Sequence, residues 1–178
     1  AVLSNNGNYY IGELLNNKKE GKGKIIYKNG TIYEGMFKNN IHDGYGKLIQ
    51  LDGEIFTGEW KNGKINGSGI RYHNNGDKYI GNYINNIRNG EGNYIFINGD
   101  SYSGNWVDGK VNGKGIFKFK NRNVYEGEFK DNNILGNGTY TMKNGDKYIG
   151  TFKNGVINGK GTFINNKGEK SVGYFVSG

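Results

Sequence analysis

Thr31 to Gly53 read TIYEGMFKNNIHDGYGKLIQLDG, and this pattern returns along the chain at a spacing of 23 residues. An aromatic ring followed two residues later by glycine stands at Tyr10/Gly12, Tyr33/Gly35, Phe56/Gly58, Tyr79/Gly81, Tyr102/Gly104, Tyr125/Gly127 and Tyr148/Gly150. Ser171/Gly173 opens an eighth, partial unit. Eleven residues past each ring comes a G-x-G, from Gly21/Gly23 and Gly44/Gly46 to Gly136/Gly138 and Gly159/Gly161. A period of this length without a slip in register is the mark of a repeat architecture.

Two kinds of turn lie between these marks. One holds Asn39-Asn40, Asn62-Gly63, Asp108-Gly109 or Asn154-Gly155; the other holds Asn29-Gly30, Asp52-Gly53, Asn75-Gly76, Asn98-Gly99 or Asn144-Gly145. Such pairs tolerate positive φ at both central residues, so each predicts a hairpin with a type I′ turn. At Asn121-Arg122 an arginine stands where glycine is expected, and a looser turn is predicted there. Alternation puts Tyr33, Gly35 and Phe37 on one strand face, with Ile32, Glu34 and Met36 on the other. On the second strand Gly44, Gly46 and Leu48 share a face. Rings on one strand and glycines beside them predict that the rings fold across the glycine backbone, where a Cβ would collide.

Composition fits this thin core. The 178 residues include 33 glycines, 14 tyrosines and 9 phenylalanines, with no proline and no cysteine, and are only 34% hydrophobic. Glycine without a G-x-y period excludes collagen, and the absence of cysteine removes disulfides, thiolate metal sites and cysteine nucleophiles. Asn, Lys and Ile share AT-rich codons, so base composition competes with function as a source of the Asn runs. No apolar run reaches the ~20 residues of a spanning helix, and the first residues lack signal-peptide character. The net charge of +8 suits acidic partners, but the lysines recur singly at turns such as Lys38, Lys61, Lys130 and Lys153.

Y-x-G-x-[aromatic]-x-[Asn/Asp]-[Gly/Asn] followed by G-x-G at this period resembles the MORN repeat, across essentially the whole chain. The resemblance implies an all-β fold, an elongated and twisted single antiparallel meander in which each repeat is one hairpin. It also implies a non-enzymatic scaffold, as in membrane junctions, ciliary assemblies and parasite cytoskeletal rings, acting inside the cell, in the cytoplasm, on a cytoskeletal structure or the cytoplasmic side of a membrane. Residues 1–178 then read as one array, a fragment of a longer one.

The ladder Tyr33, Phe37, Phe56, Trp60, Tyr79, Tyr83, Tyr102, Trp106, Tyr125, Phe129, Tyr148 and Phe152 is read as core, because it repeats in every unit while recognition surfaces vary. His42 and His73, which have no Cys or second His at ligand spacing, are expected to face solvent, as are Glu34, Glu59, Glu126 and Glu128. No catalytic, metal or cofactor site is expected. The first expectation for partners is a homodimer through the apolar end Tyr174-Phe175-Val176, beside other scaffold or cytoskeletal proteins. The second is an anionic lipid surface met by Lys18, Lys19, Lys22 and Lys24. Nucleic acid or peptide gripped along the aromatic trough ranks third.

Overall fold

A computed structural model describes residues 2–176, which contain strands and turns and no helix. They fall into two compact units, one running to Ile87 and the other starting at Arg88. The first unit holds β1 (Val2–Asn5), β2 (Asn8–Leu15), β3 (Lys18–Ile26), β4 (Ile32–Lys38), β5 (Ile41–Ile49), β6 (Ile55–Lys61), β7 (Lys64–Tyr72) and β8 (Lys78–Ile84). The second holds β9 (Ile87–Ile95), β10 (Ser101–Val107), β11 (Lys110–Lys118), β12 (Val124–Lys130), β13 (Asn133–Thr141), β14 (Lys147–Lys153), β15 (Val156–Ile164) and β16 (Lys170–Val176). In each unit the strands follow chain order, neighbours pair antiparallel, and the first strand does not return to the last, so the meander is open.

The register explains the glycines. β4 and β5 place Tyr33 opposite Leu48, Gly35 opposite Gly46 and Phe37 opposite His42, so β5 carries two more residues than β4 between the last two pairs. The surplus forms a bulge at Gly44, whose φ of 107° disfavours any L side chain. Gly46 has a different task. A Cβ there would run into the Tyr33 ring, just as one on Gly115 would come within 2.5 Å of the Tyr102 ring. The first glycine of each G-x-G therefore serves the backbone and the second makes room for a ring.

Each of these rings is buried, and each tyrosine hydroxyl turns back to a carbonyl three residues on, as Tyr33 donates to Met36 O at 3.0 Å and Tyr125 to Glu128 O at 3.0 Å. Rings meet edge to face within a repeat and between successive ones: Tyr33 with Phe37 at 5.2 Å and with Trp60 at 5.3 Å, and Tyr125 with Phe129 at 5.3 Å and with Phe152 at 4.9 Å. Such pairs contribute about 0.5–1.5 kcal/mol each beyond their burial. Among the described residues this ladder, with Ile25, Ile65 and Val111, is the core.

The two turns differ. At Asn39-Asn40 (φ 47° and 71°), Asn62-Gly63 and Asp108-Gly109 both residues have positive φ, as type I′ requires. The second residue also reaches the preceding repeat: Asn40 N–H donates to Lys19 O at 2.9 Å while Asn40 Oδ1 accepts Lys19 N–H at 2.8 Å. At the other turns only the glycine has positive φ, and its N–H donates three residues back, as Gly30 does to Tyr27 O at 2.8 Å. Those are three-residue loops with a closing left-handed residue, not the expected type I′ turns. Their Asn or Asp accepts the N–H two residues on, Asn29 from Thr31 at 3.0 Å and Asp52 from Glu54 at 3.0 Å. Arg122 corrects a further expectation: it takes φ 73° and donates to Phe119 O at 2.9 Å, so its turn is as tight as the glycine ones.

Candidate functional site

The sheet presents two faces, and the ring side is not uniform. Beyond the second glycine of each G-x-G, the positions two and four residues on also point to the ring side, flanking the ladder, and they change from repeat to repeat. In the first unit they are Ile25 and Tyr27, Leu48 and Gln50, then Arg71 and His73; in the second, Tyr94 and Phe96, Phe117 and Phe119, Tyr140 and Met142, then Phe163 and Asn165. All are half-buried apart from Ile25, which is buried.

In the second unit the rings at these positions form a continuous row from Tyr94 to Tyr140. Tyr94 meets Phe96 at 4.6 Å, Phe96 meets Phe117 at 5.9 Å, Phe117 meets Phe119 at 4.7 Å and Phe119 meets Tyr140 at 5.9 Å. Asn123 Nδ2 donates to Tyr140 Oη at 2.6 Å and fixes the far end. At the near end the Arg88 guanidinium lies 4.4 Å over Trp106 and 5.3 Å over Tyr94. A groove of about 350 Å³ lies at the near end of the row, lined by Arg88, Tyr94, Phe96, Trp106 and Phe117. Rings with apolar faces and a held cation can grip an apolar, extended segment; none of these groups forms an acid–base or nucleophilic pair.

In the first unit the equivalent strip is apolar at Ile25 and Leu48 and carries polar contacts around Tyr27, Arg71 and His73. Glu54 bridges Arg71 at 3.2 Å and His73 at 3.0 Å, and Arg71 lies 5.8 Å from both the Phe56 and Tyr83 rings. His42 stacks on Tyr33 at 3.6 Å between ring centres, nearly parallel, and its Nε2 meets Tyr27 Oη at 2.8 Å. Burial, with the Lys19 charge adding to it, lowers the His42 pKa to about 4. Neither histidine faces solvent as expected; both are half-buried because the ring side is where alternation puts them. In both units burial dominates the tyrosine hydroxyls, pushing Tyr102 and Tyr125 up to about 12.

The opposite face carries a glycine-floored trough in each unit. In the first it is walled by Lys22, Lys24 and Lys47 against Glu34, in the second by Glu91, Glu126 and Glu128 against Lys114. Of the glutamates expected to be solvated, Glu34 pairs with Lys24 at 3.6 Å, and Glu59 reaches over the bulge to accept Ser68 N–H at 2.7 Å.

The remaining sequence-predicted residues divide by face. Lys19 is on the ring side, 5.6 Å over Tyr10, whereas Lys18, Lys22 and Lys24 are exposed on the other, so these four lysines do not make one patch. In β16, Phe175 turns inward and packs on Tyr148 at 5.2 Å, extending the ladder; Tyr174 and Val176 face the other way with Val172 and are 74%, 73% and 81% exposed respectively. The ring-side row of Tyr94 to Tyr140 was not singled out from sequence. Its signal was available, since these are the ring-side positions that vary between repeats. No cluster of three or more His, Asp or Glu able to hold a metal occurs among the described residues.

The MORN repeat model matches residues 10–32, 33–54, 56–78, 79–101, 102–124, 125–147 and 148–170. No curated protein sequence matches the chain. Among solved structures, the fold is similar to the TCP domain of Drosophila melanogaster SAS-4 (dCPAP), there in complex with a proline-rich motif of Ana2 (dSTIL). That likeness has a TM-score of 0.56 at 14% identity and covers 86% of this chain and 83% of that one. The TCP10 domain of Danio rerio CPAP, in complex with a STIL peptide, aligns at a TM-score of 0.44 and 14% identity over 93% of this chain and 83% of that one.

Proposed function

The chain belongs to the MORN repeat family, and from this premise we propose that it is a non-enzymatic interaction module that takes an extended segment of a partner protein on the ring side of its second unit. The observation that carries this is the aromatic row from Tyr94 to Tyr140, whose near half, Tyr94, Phe96 and Phe117, lines an open groove. The backbone beneath is fully engaged in the sheet, so recognition is by side chains. The SAS-4 TCP domain, of similar fold, also holds a peptide of its partner. Selection of random peptides on the immobilised chain tests this: selected peptides should lose binding to a Phe117→Ala variant that keeps its β-sheet circular dichroism. Failure to select any peptide, or binding indifferent to that change, overturns the reading.

A second reading, self-association, is favoured by Val172, Tyr174 and Val176, an apolar row on one face of β16. A second copy stacked there would cover it, within a scaffold on a cytoskeletal or membrane structure. Light scattering at high micromolar concentration should then show a dimer that Tyr174→Glu dissociates; a monomer removes this reading. Direct contact with anionic lipid draws support only from the trough lysines Lys22, Lys24 and Lys47, and absence of co-sedimentation with phosphatidylserine vesicles at physiological salt would remove it.

A further inference from the structure

We propose that the second unit's aromatic row recognises a proline-rich segment of another protein, laid across the strands as a polyproline II helix with its acidic residues toward the turn side. This rests on the interaction-module reading and specifies its ligand. The first argument is spacing. Equivalent positions of successive repeats are two strands apart, about 9.6 Å. One polyproline II turn of three residues advances about 9.3 Å. Tyr94, Phe117 and Tyr140 occupy one such position, and Phe96 and Phe119 the next. A peptide with proline at every third residue therefore meets a ring at each turn without stretching or twisting. An extended β-strand, advancing about 3.3 Å per residue with side chains alternating, matches that repeat less closely.

The second argument is what polyproline II needs. It makes no internal hydrogen bonds and offers no run of N–H donors, so it binds by stacking its rings on aromatic faces, and a sheet whose own amides are paired loses nothing by contacting it. The third is charge. At the turn edge of the row, Lys120, Arg122 and Lys143 are exposed and form no ion pair among the described residues. The carboxylates nearby, Asp100 and Asp146, are occupied by backbone N–H groups of Lys120 and Asn166 and by the amides of Asn98 and Asn144. That edge selects a segment with acidic flanking residues. None of these 178 residues is a proline, so the occupant is not a segment of this array.

Fluorescence anisotropy with the full chain tests the proposal. The probe is a labelled synthetic peptide with proline at every third position and glutamates at one end, compared with a peptide of the same composition with proline at every fourth. The every-third peptide should bind at least about tenfold more tightly, Phe119→Ala or the milder Phe119→Leu should weaken it about tenfold, and Gln50→Ala in the first unit should leave it unchanged. Lys120→Glu with Lys143→Glu should weaken it further at low salt. Equal binding of both spacings, or no effect at Phe119 in a folded variant, overturns the inference. If random selection still yields proline-free peptides that Phe117→Ala abolishes, only the proline specificity falls; if no peptide of any kind binds, the interaction-module reading falls with it.

Discussion

The same frame carries two different ring-side strips. In the first unit Glu54 bridges Arg71 and His73, and His42 and Tyr27 close a second polar contact, so these side chains are engaged with internal partners. In the second unit Tyr94, Phe96, Phe117, Phe119 and Tyr140 form a row of ring contacts, and Tyr94, Phe96 and Phe117 line a groove. Underneath, ladder, bulges and tight turns are alike. The contrast teaches that the positions that recur carry the core, while those released from the period are free to differ, which is where the proposed recognition is placed.

The largest effect should come where the units are alike. Tyr33→Ala and Tyr125→Ala each remove a fully buried ring and should each cost about 3–5 kcal/mol in urea denaturation. A difference above about 1 kcal/mol between them would mean that the frames are not equivalent. Gly46→Ala and Gly115→Ala, which push a methyl into the Tyr33 and Tyr102 rings, should each cost about 1–3 kcal/mol. The strips should then diverge. Glu54→Ala leaves Arg71 and His73 facing each other on a half-buried surface and should destabilise by about 2 kcal/mol, whereas Glu126→Ala, exposed in the second unit's trough, should change stability by less than about 0.5 kcal/mol.

Acid should also act through the first unit. With its folded pKa near 4 against 6.5 for an unperturbed ring, His42 stays neutral in the fold while the unfolded chain takes up the proton. Stability linked to His42 is therefore whole above pH 6.5 and is lost as pH falls from 6.5 to 4. Melting temperatures of wild type and His42→Gln should show the smaller drop over that window for the variant; parallel curves would reject the assignment. A change in the stabilising direction is Arg122→Gly, which relieves the left-handed strain at the one three-residue loop of the second unit that lacks glycine and should stabilise by about 1 kcal/mol.

The repeat, its ladder and both hairpins were legible because each recurs at fixed spacing, and alternation alone decides which face Tyr33 and Phe37 share. What escaped was what periodicity cannot distinguish. Gly44 and Gly46 are identical letters, yet one is held by its φ and the other by a ring across the strand gap. Asn29-Gly30 and Asn62-Gly63 are identical pairs, yet only the second has positive φ at both residues, because loop length and not dipeptide chemistry selects the turn. The lysines at 18, 19, 22 and 24 are close in sequence but separated by the pleat. The Tyr94 row was hidden by the ladder itself: in a chain rich in rings, only comparison between repeats separates those that pack from those that vary.

Trp60 and Trp106 occupy matching ladder positions, each buried and each donating its indole N–H to a glycine carbonyl at 3.3 Å, Gly46 O and Gly92 O respectively. They are the chain's two tryptophans, one in each unit. Nature has thus supplied a pair of matched internal fluorophores. With either indole replaced by phenylalanine, the emission of the remaining one reports the melting of its own unit, so the cooperativity of the two can be read optically without attaching a dye.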